Sequence, residues 1–284
     1  MSIKIQNLTH IYDKNGPYEK IALKDVTLSI EKGEFLGIIG HTGSGKSTLI
    51  QHLNGLAKPT SGTVIFDGTD IFSKDCDIQE IRSKIGLVFQ YPEYQLFEET
   101  VYKDIAFGLK NYNVPSEKHE VMIKEAIKKV GLSEDILDKS PFELSGGQKR
   151  RVAIAGVIVM NPEVLILDEP AAGLDPYGKK QILEEIKALH ENDKITVILV
   201  SHSMEDIALY ANRIAVMENG EICMCASPKE VFKRQSELEK IGLDIPEVSK
   251  ILNEIRKRGY EVPDNVFDSY TAAKIIYKIL QGEH

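Results

Sequence analysis

The sequence has no tryptophan and only three cysteines among its 284 residues. Three thiols cannot build a disulfide framework, so the chain must be held by a buried core, which suits a reducing compartment. Cys223 and Cys225 sit at i, i+2, the spacing that puts two small residues on one face of a strand, and no third or fourth metal ligand lies near them in sequence. Long apolar runs are also missing. The longest, 152–160, has nine residues, against the roughly 20 needed to cross a bilayer. The opening Met1-Ser-Ile-Lys-Ile-Gln passes directly into a strand-like alternation, which predicts no leader segment. Basic excess is absent too: the formal net charge is −8, and residues 231–284 carry nine basic and nine acidic side chains, so the whole excess lies before them. With no basic stripe, nucleic acid is not expected as a partner. No repeat or low-complexity segment is visible.

Against these absences stands Gly40-His41-Thr42-Gly43-Ser44-Gly45-Lys46-Ser47, followed by Thr48, a full match to G-x-x-x-x-G-K-[ST]. Such a loop curls its amides around a triphosphate, while the lysine reaches the β- and γ-phosphates and the hydroxyl of Ser47 can ligate Mg²⁺. Residues 34–39 before it read as a buried strand, and residues 46–54 after it as a helix closed by Gly55. The phosphates would then lie at a helix N-terminus, where unpaired amides favour anions.

The rest of the chain fits around that unit. Residues 3–12 and 26–30 alternate like strands, and 63–66 end at the Asp67-Gly68 turn. A strand at 84–89 leads into Gln90, and residues 91–161 turn helical, with Ile123, Ala126, Ile127 and Val130 on one face of a helix over 117–130. Strand 164–168, helix 176–192, strand 195–201 and helix 203–210 follow, then two strands around Asn219-Gly220. Strands alternating with helices after a phosphate loop predict an α/β fold with a mostly parallel central sheet. An antiparallel N-terminal layer, a helical insertion at about 91–161 and a small helical appendage over 229–284 complete the expected architecture. The appendage starts at a capping box, Ser227-Pro-Lys-Glu230. Its two amphipathic helices, one striped by Val248, Ile251, Leu252 and Ile255 and one by Ala272, Ala273, Ile276, Ile279 and Leu280, have faces to bury against this chain or another.

Two further motifs carry chemistry. Residues 164–168 deliver Asp168 and Glu169 at the end of an apolar strand, where an unpaired carboxylate is expensive to bury. Triphosphate hydrolysis needs a metal shell, which suits Asp168, and a group to orient water, which suits Glu169. Leu144-Ser145-Gly146-Gly147-Gln148 then opens another helix with a second anion-suited N-terminus, about 100 residues from the first. The simplest resolution of two phosphate elements in one chain is a head-to-tail dimer, each nucleotide held between one chain's phosphate loop and the other's Ser-Gly-Gly.

With these motifs in place, residues 3–228 resemble the nucleotide-binding subunit of ATP-binding cassette transporters. The resemblance implies that Tyr12 stacks on adenine, that Gln90 contacts Mg²⁺ and links to a membrane subunit, that His202 touches the γ-phosphate, and that Asp175 crosses the dimer interface. Residue 171, usually Thr or Ser in the family, is Ala here, and a minor effect on activity is expected. The stretch Gln90-Tyr-Pro92-Glu-Tyr-Gln95-Leu-Phe97-Glu-Glu-Thr-Val101, the Gly40-His-Thr-Gly start and the tail look like the ATPases of energy-coupling-factor transporters, importers of vitamins and of cobalt or nickel. That likeness implies ATP and Mg²⁺ as cofactors, a second ATPase, identical or paralogous, paired through the tail, and integral membrane coupling and substrate-binding subunits. It places the chain at the cytoplasmic face of a prokaryotic membrane. Glu93, Glu98 and Glu99, joined by Tyr94, Leu96 and Phe97, are expected to form an acidic-rimmed groove for the membrane partner. An ATPase subunit of another importer, or a soluble cassette ATPase, remains the alternative.

Overall fold

The computed structural model describes residues 3–281; Met1 and Ser2, part of the expected leaderless start, lie outside them. The chain runs β1 (Ile3–Tyr12), β2 (Lys20–Ile30), β3 (Phe35–Ile39), α1 (Lys46–Leu53), β4 (Ser61–Phe66), β5 (Thr69–Asp70), α2 (Ile78–Lys84) and β6 (Ile85–Val88). It continues with α3 (Val101–Asn111), α4 (Ser116–Lys129), α5 (Gly146–Ile158), β7 (Val164–Asp168), α6 (Pro176–Asp193), β8 (Thr196–Val200) and α7 (Met204–Tyr210). β9 (Arg213–Glu218), β10 (Glu221–Ala226), α8 (Pro228–Phe232), α9 (Gln235–Lys240), α10 (Glu247–Lys257) and α11 (Ser269–Leu280) close it.

Two sheets form the frame. The larger has the order β10-β9-β3-β8-β7-β6, parallel from β9 to β6 with β10 added antiparallel through the Asn219-Gly220 turn. Its strands are apolar on both faces, as a covered parallel sheet requires. Alternation sends Leu165 and Leu167 into the core shared with α3, α4 and α5, and Val164 and Ile166 into the core shared with β1, β2 and α1. The smaller, antiparallel sheet has the order β2-β1-β4-β5 and packs on that second face.

The expected strand at 26–30 is longer in the structure: β2 starts at Lys20, and Lys20, Ile21 and Leu23 pair with Tyr12, Ile11 and His10 of β1. Lys20 and Lys24 conceal the pattern, but Ala22 and Leu23 are buried. Asn7, at a φ of 50°, sits where the β1–β2 register shifts, which lets Ile5 and Leu8 face the same core despite their odd spacing. In the C-terminal region Val231, Phe232, Leu238, Leu243 and Ile245 join the main core. α10, α11 and the segment between them make a separate core around Leu252, Val262, Val266 and Ala272. Ala273 and Leu280 of the expected α11 stripe are exposed. Cys223 and Cys225 share one exposed face of β10. Among the described residues, no helix is long and apolar enough to cross a membrane.

Candidate functional site

The parallel order of β3, β8, β7 and β6 brings their C-terminal ends to one edge, where ligands of open α/β sheets bind. β3 feeds the glycine loop, which turns sharply into α1. Gly45, the residue before α1, has a φ of +105°, and a β-carbon there would lie 2.6 Å from the Ala22 carbonyl. Only glycine permits both the dihedral and the approach of β2. Tyr12, Lys20, Ala22, Gly43, Gly45, Lys46, Ser47 and Thr48 line a cleft of about 160 Å³. Lys20 and Ala22 are site residues the sequence did not reveal, because the start of β2 was itself hidden. The Tyr12 hydroxyl lies 3.2 Å from Thr48 Oγ1, which sets the ring beside the first turn of α1.

Lys46 is buried, and its ammonium donates to the carbonyls of Gly40 (2.7 Å) and His41 (3.0 Å). Burial pushes its pKa down, against the upward pull of Glu169 and Asp168. A triphosphate reaching the loop would exchange two neutral acceptors for charged ones, which form the stronger bonds. Ser47 Oγ donates to Asp168 Oδ2 at 3.1 Å, joining the first turn of α1 to the end of β7. Burial pushes the Asp168 carboxyl up, partly offset by the Ser47 bond and by Lys46. Hydroxyl and carboxylate are hard oxygen donors of the kind Mg²⁺ takes. No cluster of three or more His, Cys, Asp or Glu fit to hold a metal occurs among the described residues. A small set of protein oxygens suits an ion that keeps waters and phosphate oxygens around it.

Glu169 has a φ of 50°, and its amide donates to the Val200 carbonyl at 3.0 Å, fixing it between β7 and β8. Its Oε1 is buried without a hydrogen-bond partner, since His202 Nε2 is 3.6 Å away. Burial first, then the Asp168 carboxylate, pushes Glu169 up to about 7. A carboxyl poised near neutrality beside a metal-type ligand fits general-base work. His202, just past β8, has its pKa lowered by burial and by Lys46, so it faces Glu169 as a neutral imidazole.

Other expected site residues stand apart. Ser145 caps α5 in a capping box with Gln148, accepting from its amide at 3.3 Å while Gln148 Oε1 accepts from the Ser145 amide at 3.0 Å. A β-carbon on Gly146 or Gly147 would meet nothing within 4 Å. These residues do not line the cleft beside Lys46. Asp175 caps α6, accepting from the amides of Tyr177 and Gly178, both at 3.0 Å, and the Gly178 amide leads in holding its carboxyl below the usual range. Gln90 is exposed, two residues past β6, with no side-chain bond to Ser47 or Asp168.

One acidic residue of the expected docking groove has a different role. Glu93 forms a paired salt bridge with Arg150, 3.0 Å from Nε and 2.6 Å from Nη2, and Arg150 is 2% exposed. Burial pushes Glu93 up, but the Arg150 bonds outweigh it and hold the carboxyl below its usual range. Arg150 Nη1 also donates to the carbonyls of Pro170 (3.2 Å) and Ala172 (2.6 Å). One guanidinium thus ties α5 to the segment after Gln90 and to the loop after Glu169. Glu93 is therefore an internal partner, not a rim charge. Glu99 pairs with Lys103 one turn on in α3. Tyr94 and Phe97 are exposed as expected, with Phe97 edge-on to Phe107 at 5.0 Å.

Residues 23–172 match the ABC transporter family. The chain is 56% identical to the energy-coupling factor transporter ATP-binding protein EcfA2 of Clostridium tetani, over 100% of this chain and 99% of that protein. It is 54% identical to the EcfA2 of Caldanaerobacter subterraneus subsp. tengcongensis, over 99% of each. Among solved structures, cbiO1 of Clostridium perfringens, described as part of the ABC transporter complex cbiONQ, superposes with a TM-score of 0.75 at 39% identity, covering 88% of this chain and 98% of that one. A dimeric ATP-binding cassette in a post-hydrolysis state with ADP and Pi gives a TM-score of 0.69 at 33% identity, over 80% and 98%. The chain belongs to the ATP-binding cassette family and, within it, to the energy-coupling factor transporter ATPases.

Proposed function

We propose that this ATPase works as the energy-coupling subunit of an importer, pairing with a second ATPase, identical or paralogous, head to tail. The importer would take up vitamins or transition-metal ions through an integral membrane coupling subunit and a membrane substrate-binding subunit. The ATPases would sit at the cytoplasmic face. Residues 1–228 would form the nucleotide-binding domain, with the helical subdomain at about 91–161, and residues 229–284 would help the two ATPases pair.

In this reading Tyr12 supports the adenine and residues 40–48 hold the phosphates. Ser47, Asp168 and Gln90 would hold Mg²⁺, which neutralises phosphate charge when bound. Glu169 accepts a proton from the attacking water, and neutral His202 donates toward the γ-phosphate. Ser145, Gly146, Gly147, Gln148 and Asp175 would serve the nucleotide bound by the other subunit.

The observation that carries the proposal is the open space over Gly146 and Gly147 at the start of a thirteen-residue helix. Nothing in this chain requires glycine there, whereas a phosphate approaching from a second chain would. The test mixes two inactive proteins, Lys46→Ala and Ser145→Arg, whose mixed dimer holds one intact composite site. ATP turnover above that of either protein alone is expected. Mixed dimers without recovered turnover would refute the shared site. If the partner is a paralogue, the same substitutions are divided between the two chains.

A further inference from the structure

Behind Tyr12 lies a ring cluster that phosphate binding and hydrolysis do not use. His52, in α1, is wholly buried, and buried polar atoms need partners. Its Nδ1 lies 2.7 Å from the Thr48 carbonyl, one turn earlier, and its Nε2 lies 3.1 Å from His10 Nδ1. His10 Nδ1 also lies 3.1 Å from the Lys58 carbonyl. Carbonyls only accept, so these contacts assign the proton to Nδ1 on both rings. His52 Nε2 is then a bare acceptor, and the one His10 Nδ1–H is shared between it and the Lys58 carbonyl. A second proton on His52 would set two N–H groups against each other, so the contact requires His52 Nε2 to stay unprotonated.

The rings pass this order to Tyr12. His10 packs edge-on against His52, with centroids 4.6 Å apart at 70°, and against Tyr12, 4.5 Å apart at 80°. Tyr12 is the last residue of β1, 44% exposed. The next residues, Asp13 and Asn15, take positive φ values, so the chain turns away at once. His10 packs against the side of the ring, and Thr48 Oγ1 lies at its hydroxyl. Both lead back to α1, which begins at Lys46.

We propose that His10 and His52 are positioning residues for the nucleotide base. They lock the Tyr12 ring to α1 so that base platform and phosphate cradle keep a fixed spacing. The pair then supplies part of the affinity that distinguishes a nucleotide from a bare polyphosphate. This rests on the reading of Tyr12 as the adenine platform. Without the pair the ring must be ordered when ATP binds, and the cost of fixing one side chain corresponds to about 3- to 10-fold in affinity.

The test uses Mg-ATP and Mg-tripolyphosphate as probes, with Glu169→Gln in every protein to suppress turnover. His52→Phe and His10→Phe keep a ring and remove the bonds between them. Each is expected to weaken ATP about 3- to 10-fold and to leave tripolyphosphate within about 2-fold. The double variant should bind ATP no more weakly than the worse single one, since the two act as a unit. Equal weakening of both probes would mean a general disturbance of α1 and would overturn the proposal, as would no change in either. If His52→Phe does not fold, half-buried His10 carries the test. Tyr12→Ala separates the two layers. If it weakens ATP alone while the histidine variants bind normally, only this proposal fails. If it leaves ATP unchanged, the platform reading fails and the proposal with it.

Discussion

Replacing Glu169 with Gln tests two consequences of one burial. The side chain is 13% exposed, Oε1 has no hydrogen-bond partner, and the carboxyl is pushed from 4.5 to about 7 by burial and then by Asp168. The folded pKa lies above the unfolded one, so the native state keeps a proton that the unfolded chain releases between these values. Stability is therefore unpenalised below about pH 4.5, falls as pH rises through the interval, and carries the full penalty above about 7. The gap corresponds to about 3 kcal/mol. Gln keeps the shape and removes the charge. In nucleotide-free protein with a chelator present, urea unfolding at pH 8.5 should show Glu169→Gln more stable by about 3 kcal/mol, shrinking to under about 1 kcal/mol at pH 5. The chelator matters, because a cation at Asp168 would reverse the local electrostatics. The same substitution should cut ATP turnover about 10²–10⁴-fold while ATP binding survives. A variant equally or less stable at pH 8.5 would show that the carboxylate is accommodated rather than penalised. Turnover near the unsubstituted rate would remove Glu169 from the chemistry.

Two further outcomes separate structural from functional roles. Arg150→Met leaves the Glu93 carboxylate without its partner and should cost about 3–5 kcal/mol. Adding Glu93→Gln should recover at least about 1 kcal/mol of that in urea unfolding, and strictly additive losses would mean that the two side chains are not coupled. Gly147→Ala should raise stability by up to about 1 kcal/mol, since alanine favours helix and its β-carbon meets nothing within 4 Å. ATP turnover should nonetheless fall at least about 10-fold, the loss of one transition-state contact. Undiminished turnover would mean that no nucleotide approaches that helix end.

What the sequence disclosed depended on how far apart the interacting residues lie. β7 and the strand leading into the glycine loop were legible because each is a short apolar run beside glycine or acidic punctuation. The start of β2 was not, because its burial comes from pairing with β1 and two lysines interrupt the apolar pattern. Lys46, Ser47, Asp168 and Glu169 were legible from local motifs, and the fold then placed Ser47 and Asp168, 121 residues apart, within 3.1 Å. Glu93 looked like a solvent-facing charge because its partner, Arg150, is 57 residues away. The His10–His52 contact spans 42 residues and left no trace in periodicity. Asp175 carried a local signal that could have been read: Asp followed by Pro, then Gly178, is the pattern of a helix cap.

On the proposed composite site, each half makes contacts within its own chain that a phosphate would replace. Lys46 rests on two loop carbonyls. α5 is closed by a long Ser145–Gln148 bond of 3.3 Å, and its other first-turn amides are left to water by helix geometry. These contacts are neutral-acceptor bonds, roughly half as strong as those to phosphate oxygens. Binding ATP between two chains would exchange both sets at once, the lysine in one chain and the helix end in the other. Neither exchange alone brings the second chain into place. Closure of the pair should therefore depend on nucleotide and hydrolysis on closure, with Glu169 already buried and raised in pKa before the partner arrives.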